Sequence, residues 1–267
     1  MATAPAREPT RMPTPDIESL LADPAARLPF RIGIVGGMGP MAGVYLQQLI
    51  IEATPAGRDQ DHFQAICFTN PHVPERMQSL ARDGGRRYAE AVRASAILVA
   101  RAGATHLVIP CNTAHARLAE IQRGVDVPFV NMIDLGVREL VSLHGPGVRV
   151  GLLATVGTIG EGVYQKALPE AGIDWLLPEA ADQVRVSDAI LAVKVSEADR
   201  VAGDLLEVTR ALVRRGARVI MVGCTELSMC LETLRPAGVP LVDPLRVVAR
   251  HLVETGLERR GSADRPA

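Results

Sequence analysis

Residues 102–115 read AGATHLVIPCNTAH and residues 215–228 read RGARVIMVGCTELS, and the two stretches line up. Each runs from a small-residue turn through an apolar run to a cysteine, and then to small polar residues. Two further pairs line up in the same order: RIGIVGGMGP (31–40) with RVGLLATVGT (149–158), and VDVPFVNMID (125–134) with AGVPLVDPLR (237–246). The offsets are 118, 113 and 112, a drift that loop insertions account for. Self-similarity of this kind marks a repeated structural unit. The chain therefore reads as two similar halves related by a pseudo-twofold axis.

Within the first half, strands alternate with helices. RIGIVGG (31–37) is a short β-rich run closed by glycine, and PMAGVYLQQLIIEA (40–53) is helical, with Pro40 suited to the first helical position. FQAICFTN (63–70) reads as a strand, YAEAVRASAILVARAGA (88–104) as a helix, HLVIPCN (106–112) as a strand and AHARLAEIQRG (114–124) as a helix. That alternation predicts an α/β fold with parallel sheets. In such sheets a ligand sits beyond the carboxyl ends of the strands. Cys111 and Cys224 both fall at strand ends, at matching points of the repeat, so two facing halves would set two thiols across one cleft.

Composition narrows the functional classes. The 267 residues suffice for one large or two small domains, and 48% hydrophobic with 22% charged residues fits a soluble globular protein. A net charge of −1, from 29 basic and 30 acidic residues, gives no reason to expect a nucleic acid or an anionic membrane as partner. Aromatics at 3% are too few for a base-stacking platform. There is no basic-then-apolar leader and no apolar run of membrane-spanning length, which predicts a cytoplasmic, reducing location with free thiols. The four cysteines, Cys67, Cys111, Cys224 and Cys230, form no metal-ligand spacing. Cys67 and Cys230 lack repeat counterparts and read as packing residues, in a buried strand and a helix. Only two lysines occur, Lys166 and Lys194. In the N-terminal 30 residues, TPDIESLL (14–21) reads either as part of a flexible tail or as a short helix in an arm on a partner subunit.

The residues after each repeated cysteine, Asn112 and Thr113 in one half and Thr225 in the other, would lie where a strand turns into a helix. Free backbone N–H groups there favour an anion such as a carboxylate, and the same field would lower a nearby thiol below its ordinary pKa of about 8.5. Equally, such residues simply cap helices. Two thiols on opposite sides of one carbon suit a reaction in which one removes a proton next to a carboxylate and the other returns a proton to the opposite face. His115 either tunes Cys111 or simply lies on the next helix, and Glu226 either assists Cys224 or only favours a helix start.

GIVGGMGPMAG, RDQDH, NPHVPER, PCNTAH, LLATVGTIGEGVY and GCTELS, in this order, resemble the cofactor-independent aspartate/glutamate racemase family, most closely its aspartate branch. The resemblance runs from about residue 31 to 255. It implies two Rossmann-like α/β domains, each finished by a strand and helix exchanged with the other, with the active site between them. By that likeness residues 31–125 and 239–260 form one domain, residues 126–238 the other, and residues 1–30 an extension that the family pattern lacks. It further implies that Cys111 and Cys224 are the catalytic thiols. Arg76 and Lys194 would bind the substrate's distal carboxylate, and Met38, Asn70, Asn112, Thr113, Thr155 and Thr225 would line the pocket. Homodimers are implied, and no metal, pyridoxal phosphate or nucleotide. Superfamily relatives include decarboxylases and isomerases, some of which use one of the two cysteines; the presence of both favours racemisation.

Two rival classes remain at this level. GMGPMA (37–42) satisfies G-x-G-x-x-A of a nucleotide-dependent oxidoreductase, but Asn70, not an acidic residue, ends the second strand. A non-catalytic binding protein of the same fold would keep the pocket without needing both thiols.

Overall fold

The structure, a computed structural model, describes residues 30–261, so the expected extension lies, Phe30 apart, outside the described residues. The first sheet holds β1 (Arg31–Gly36), β2 (Gln64–Thr69), β3 (His106–Val108) and β4 (Phe129–Val130), all parallel, in the order β2-β1-β3-β4. The second holds β5 (Arg149–Ala154), β6 (Asp174–Leu176), β7 (Val219–Gly223) and β8 (Leu241–Val242), also parallel, in the matching order β6-β5-β7-β8. The duplication is thus a duplication of sheets. The first half of the chain supplies helices α1 (Pro40–Ala53), α2 (Arg76–Asp83), α3 (Arg86–Arg101), α4 (Leu118–Gln122) and α5 (Met132–His144). The second half supplies α6 (Val156–Gly160), α7 (Val163–Glu170), α8 (Ala180–Lys194), α9 (Ala202–Arg214), α10 (Leu231–Leu234) and α11 (Pro244–Gly261).

Every residue of β1 and β7 is buried, as befits inner strands covered on both faces. The edge strand β2 alternates instead, which leaves Cys67 exposed rather than buried as expected. A glycine recurs at one repeat position for a steric reason. A Cβ on Gly33 would stand 2.6 Å from both Leu107 and Val99, and one on Gly151 would stand 2.6 Å from Ile220. Each glycine lets a covering helix, α3 or α9, lie close on its sheet.

The last strand of each sheet stays at home. β4 pairs with β3 and β8 with β7, so the exchange implied by the family resemblance is of helices alone, and the limits at 125/126 and 238/239 fall before the final strand of each sheet. After β4 the chain crosses over, and α5 packs on the second half: Gly136 lies against Met221 of β7. After β8 it crosses back, and α11 packs on α1 while Gly256 lies against Phe63 and Phe30. One apolar cluster therefore runs from Ile32 and Leu46 through Leu140 and Leu252 to Val150 and Tyr164, joining both halves. Each crossing opens on a side-chain cap. Asn131 accepts from the N–H groups of Ile133 (2.9 Å) and Asp134 (3.3 Å), and Asp243, its repeat equivalent, accepts from the N–H of Leu245 (3.0 Å).

Candidate active site

Cys111 lies three residues past β3 and Cys224 directly past β7, so the shared register of the two sheets delivers both to the carboxyl ends of equivalent strands. Both are free thiols, each 5% exposed, and both line one small cavity between the halves. The cavity measures about 20 Å³ and is walled also by Met38, Arg76, Asn112, Thr113, Thr155, Thr158, Lys194, Thr225 and Glu226. Of the ten residues expected at the site, only Asn70 stays away. Its side chain donates to Ser95 Oγ (3.1 Å) and accepts from His72 N–H (3.0 Å). Its backbone crowds Gly37, where a Cβ would meet the Asn70 carbonyl oxygen at 2.1 Å. Asn70 shapes the β1 loop, and its place at a strand end gives no hint that its side chain turns inward to α3.

The cysteines are followed by 3₁₀ segments, Thr113–Arg117 and Leu227–Cys230, not by regular helices. Asn112 makes no cap; its Oδ1 instead accepts from the Tyr164 hydroxyl at 2.6 Å, which leaves the amide NH₂ as the group available to the cavity. Thr113, Thr155 and Thr158 form a ring of hydroxyls with Oγ1–Oγ1 distances of 3.2, 2.8 and 3.0 Å. Thr225 points its hydroxyl back at the Pro110 carbonyl (3.3 Å), tying the two cysteine loops together. Thr158 is not legible as a site residue in the sequence; only its place in α6, the short helix after β5, brings it to Thr113.

The expectation that the strand-end field would acidify the thiols is not met. Burial dominates and pushes both up, Cys224 well above the ordinary thiol range. The two differ in their neighbours. The Arg76 guanidinium and the Ala114 N–H pull Cys111 back toward the thiolate, whereas the Glu226 carboxylate holds Cys224 as a thiol. Glu226 is itself 5% exposed, and its Oε2 accepts from Cys224 Sγ at 3.0 Å. Sequence spacing leaves its role open between assisting the thiol and favouring a helix start; in the structure it touches the thiol. His115 touches the backbone instead. Its Nδ1 lies 2.9 Å from the Cys111 carbonyl oxygen and its Nε2 accepts from Met132 N–H at 3.3 Å. Desolvation takes its pKa down to about 4, so the ring is neutral and Nδ1 is the donor.

Arg76 is the first residue of α2, whose start Glu75 caps by accepting from Gln78 N–H (2.8 Å), and Lys194 is the last residue of α8. Lys194 Nζ lies 3.9 Å from Glu226 Oε1. Arg76 has no carboxylate partner among the described residues, so its charge is available to a ligand. Arg76, Lys194 and Glu226 also border an adjoining chamber of about 270 Å³, walled further by Pro40, Met41, Val193 and Met229. Among the described residues no three His, Cys, Asp or Glu side chains cluster as metal ligands would, and no helix is long and apolar enough to cross a membrane.

Comparison with known proteins points one way. Residues 35–252 match the family described as Asp/Glu/Hydantoin racemase. The broad specificity amino-acid racemase RacX of Bacillus subtilis (strain 168) is 24% identical over 230 residues, 85% of this chain and 98% of its own. The glutamate racemase of Desulforudis audaxviator (strain MP104C) is 29% identical over 171 residues, 61% of this chain and 60% of its own. Among solved structures, Picrophilus torridus aspartate racemase superposes with a TM-score of 0.76 at 26% identity, over 86% of this chain and 98% of its own.

Proposed function

The chain belongs to the Asp/Glu/Hydantoin racemase family, a family of isomerases, and we propose that it interconverts L- and D-aspartate, or a close amino diacid, by two-base catalysis through Cys111 and Cys224. The observation that carries this reading is the pair of buried free thiols lining one cavity, delivered by equivalent strands of two sheets. In one direction the Cys111 thiolate takes the proton from Cα as the C–H bond breaks and an S–H bond forms. The Cys224 thiol then gives its proton to the opposite face of the same carbon, and the configuration inverts. For the other enantiomer the roles exchange.

The Cα proton is weakly acidic, so the site must stabilise charge that develops on the α-carboxylate, using donors already in place. The Asn112 amide, oriented by Tyr164, and the hydroxyl ring of Thr113, Thr155 and Thr158 are such donors. Arg76 supplies the unpaired cation for a side-chain carboxylate, and its planar fork suits bidentate recognition. Lys194 adds a second positive charge beside it. The substrate is a diacid for this reason, and the adjoining chamber leaves room for a side chain somewhat longer than that of aspartate. We further propose that the protein works as a homodimer in the cytoplasm, where a reducing environment keeps the thiols free.

The test is proton NMR of aspartate and glutamate with the protein in D₂O, followed by chiral chromatography. Loss of the Cα–H signal and appearance of the opposite enantiomer is the expected result. Cys111→Ala and Cys224→Ala should each cut racemisation by a factor on the order of 10²–10⁴ or more. Near-full activity in either variant would overturn the two-base scheme.

A further inference from the structure

The two halves of the site differ at one position that bears directly on a thiol. Two residues past each repeated cysteine stands a side chain that reaches the segment following the first strand of the opposite sheet. In one half it is Thr113, bonded to Thr155 and Thr158 after β5. In the other it is Glu226, whose Oε1 accepts from Gly39 N–H, after β1, at 3.2 Å. A hydroxyl beside one thiol is thus matched by a carboxylate beside the other.

That carboxylate is placed on the sulfur. Glu226 Oε2 lies 3.0 Å from Cys224 Sγ and 3.4 Å from Thr225 Oγ1, while Oε1 faces Gly39 N–H and, at 3.9 Å, Lys194 Nζ. Thr225 donates either to Glu226 or to the Pro110 carbonyl, not to both. The charged and titratable groups around the pair are Lys194 from α8, Arg76 from α2, the buried Tyr164 hydroxyl from α7, and Cys111 across the cavity. An ionised carboxylate is an acceptor only, so the short Sγ–Oε2 contact requires the proton to lie between them.

We propose that Glu226 is the positioning residue of Cys224. It holds a proton on that side of the cavity so that Cys224 stands as acid while Cys111 stands as base, and it receives that proton when Cys224 must act as base. This rests on the two-thiol reading above. In the proton shift the S–H bond breaks and an O–H bond forms on Glu226, which turns a thiol–carboxylate pair into a thiolate–carboxylic acid pair. The shift itself leaves the net charge of the pair unchanged; when Cys224 gives its proton to Cα the pair gains one negative charge as Cys111 loses one, and Lys194, 3.9 Å from Glu226 Oε1, faces it. The two faces of the substrate are therefore met by inequivalent machinery: a lone thiol on one side, a thiol–carboxylate unit on the other.

The experiment is a pH titration of the full chain labelled with cysteine carrying ¹³C at Cβ, with the resonances of residues 111 and 224 assigned from single serine variants. In Glu226→Gln, which keeps an acceptor of the same shape, the Cys224 midpoint should fall by about one pH unit or more while that of Cys111 moves much less. Glu226→Asp, with its carboxylate drawn back by one methylene, should shift it in the same direction by less. The alkaline limb of the racemisation rate in Glu226→Gln should move down with the Cys224 midpoint, with kcat reduced about tenfold or more and KM changed little. A Cys224 midpoint that stays put in both variants, or one that moves in step with Cys111, overturns the proposal. The titration reads the thiols whether or not the protein turns over aspartate, so a failure here is distinct from a failure of the racemase reading.

Discussion

Replacing Asp243 by Asn should change how the protein's stability depends on pH. Asp243 sits at the crossing from β8 into α11, buried, with Oδ1 accepting from Ser228 Oγ (2.8 Å) and Leu245 N–H (3.0 Å). Its Oδ2 is buried without a hydrogen-bond partner, and Arg246 Nε is no nearer than 3.8 Å. Burial pushes its pKa up from 3.8 to about 6. The folded state therefore holds its proton more tightly than the unfolded chain. The stability gained is fully present below the unfolded pKa and is lost as pH rises through about 6. At about 1.4 kcal/mol for each tenfold change in proton affinity, that rise is worth about 3 kcal/mol. Asparagine offers the same Oδ1 acceptor and no charge, so the variant should be more favoured relative to wild type at pH 7 than at pH 4, by about 2 kcal/mol. Urea unfolding of both proteins at the two pH values measures the difference, and other groups that titrate in both proteins cancel. A stability gap that is the same at the two pH values would show that the Asp243 carboxylate is better solvated, or better paired, than its position indicates.

The same measurement on His115→Gln should give the opposite sign. The neutral buried ring contributes stability that is present above its ordinary pKa and lost as pH falls through about 4, by at most about 3 kcal/mol, so the variant should lose least at low pH. Tyr164→Phe keeps the packing of a fully buried ring but strips Asn112 Oδ1 of its partner at 2.6 Å. It should cost about 1–3 kcal/mol in thermal or urea unfolding, with kcat reduced because the amide is no longer fixed. Gly151→Ala drives a Cβ to within 2.6 Å of Ile220 and 3.1 Å of Leu212, and should destabilise by about 1–3 kcal/mol in the same assay. An unchanged unfolding midpoint would mean that α9 rides more loosely on its sheet than the contacts indicate.

Much of this is legible in the sequence, and the reason is duplication. Arg31–Gly36 and Arg149–Ala154 carry the same strand pattern with glycine at the same place, and that glycine is where a helix approaches closely. The cysteines can be paired because strand ends in parallel sheets are where ligands bind, so register alone implies one cleft. What stays hidden depends on contacts between the halves. Gly39 and Glu226 are 187 positions apart, and Asn112 and Tyr164 are 52 apart; no local periodicity records either meeting. The ionisation of the thiols escapes the sequence for a related reason. A strand end suggests exposed backbone N–H groups and an acidified thiol, but residues from both halves bury the site, and desolvation outweighs those dipoles. The half to which β4 belongs is equally hidden, because a strand of two residues shows nothing of its partner; only its backbone pairing with Val108 and Leu107 settles it.

A single tether between two bodies permits twist, swing and slide; two tethers side by side permit little beyond rotation about the line that joins them. The chain passes between the halves after Val130 and again after Val242, each time into a capped helix bedded on the other body. A 20 Å³ space holds about one water, far less than an amino acid, so the walls of the site must widen to admit one. With the two passages placed as paired hinge pins, any parting of the halves is confined to a door's motion, which keeps the two sulfurs on the same two sides of the site.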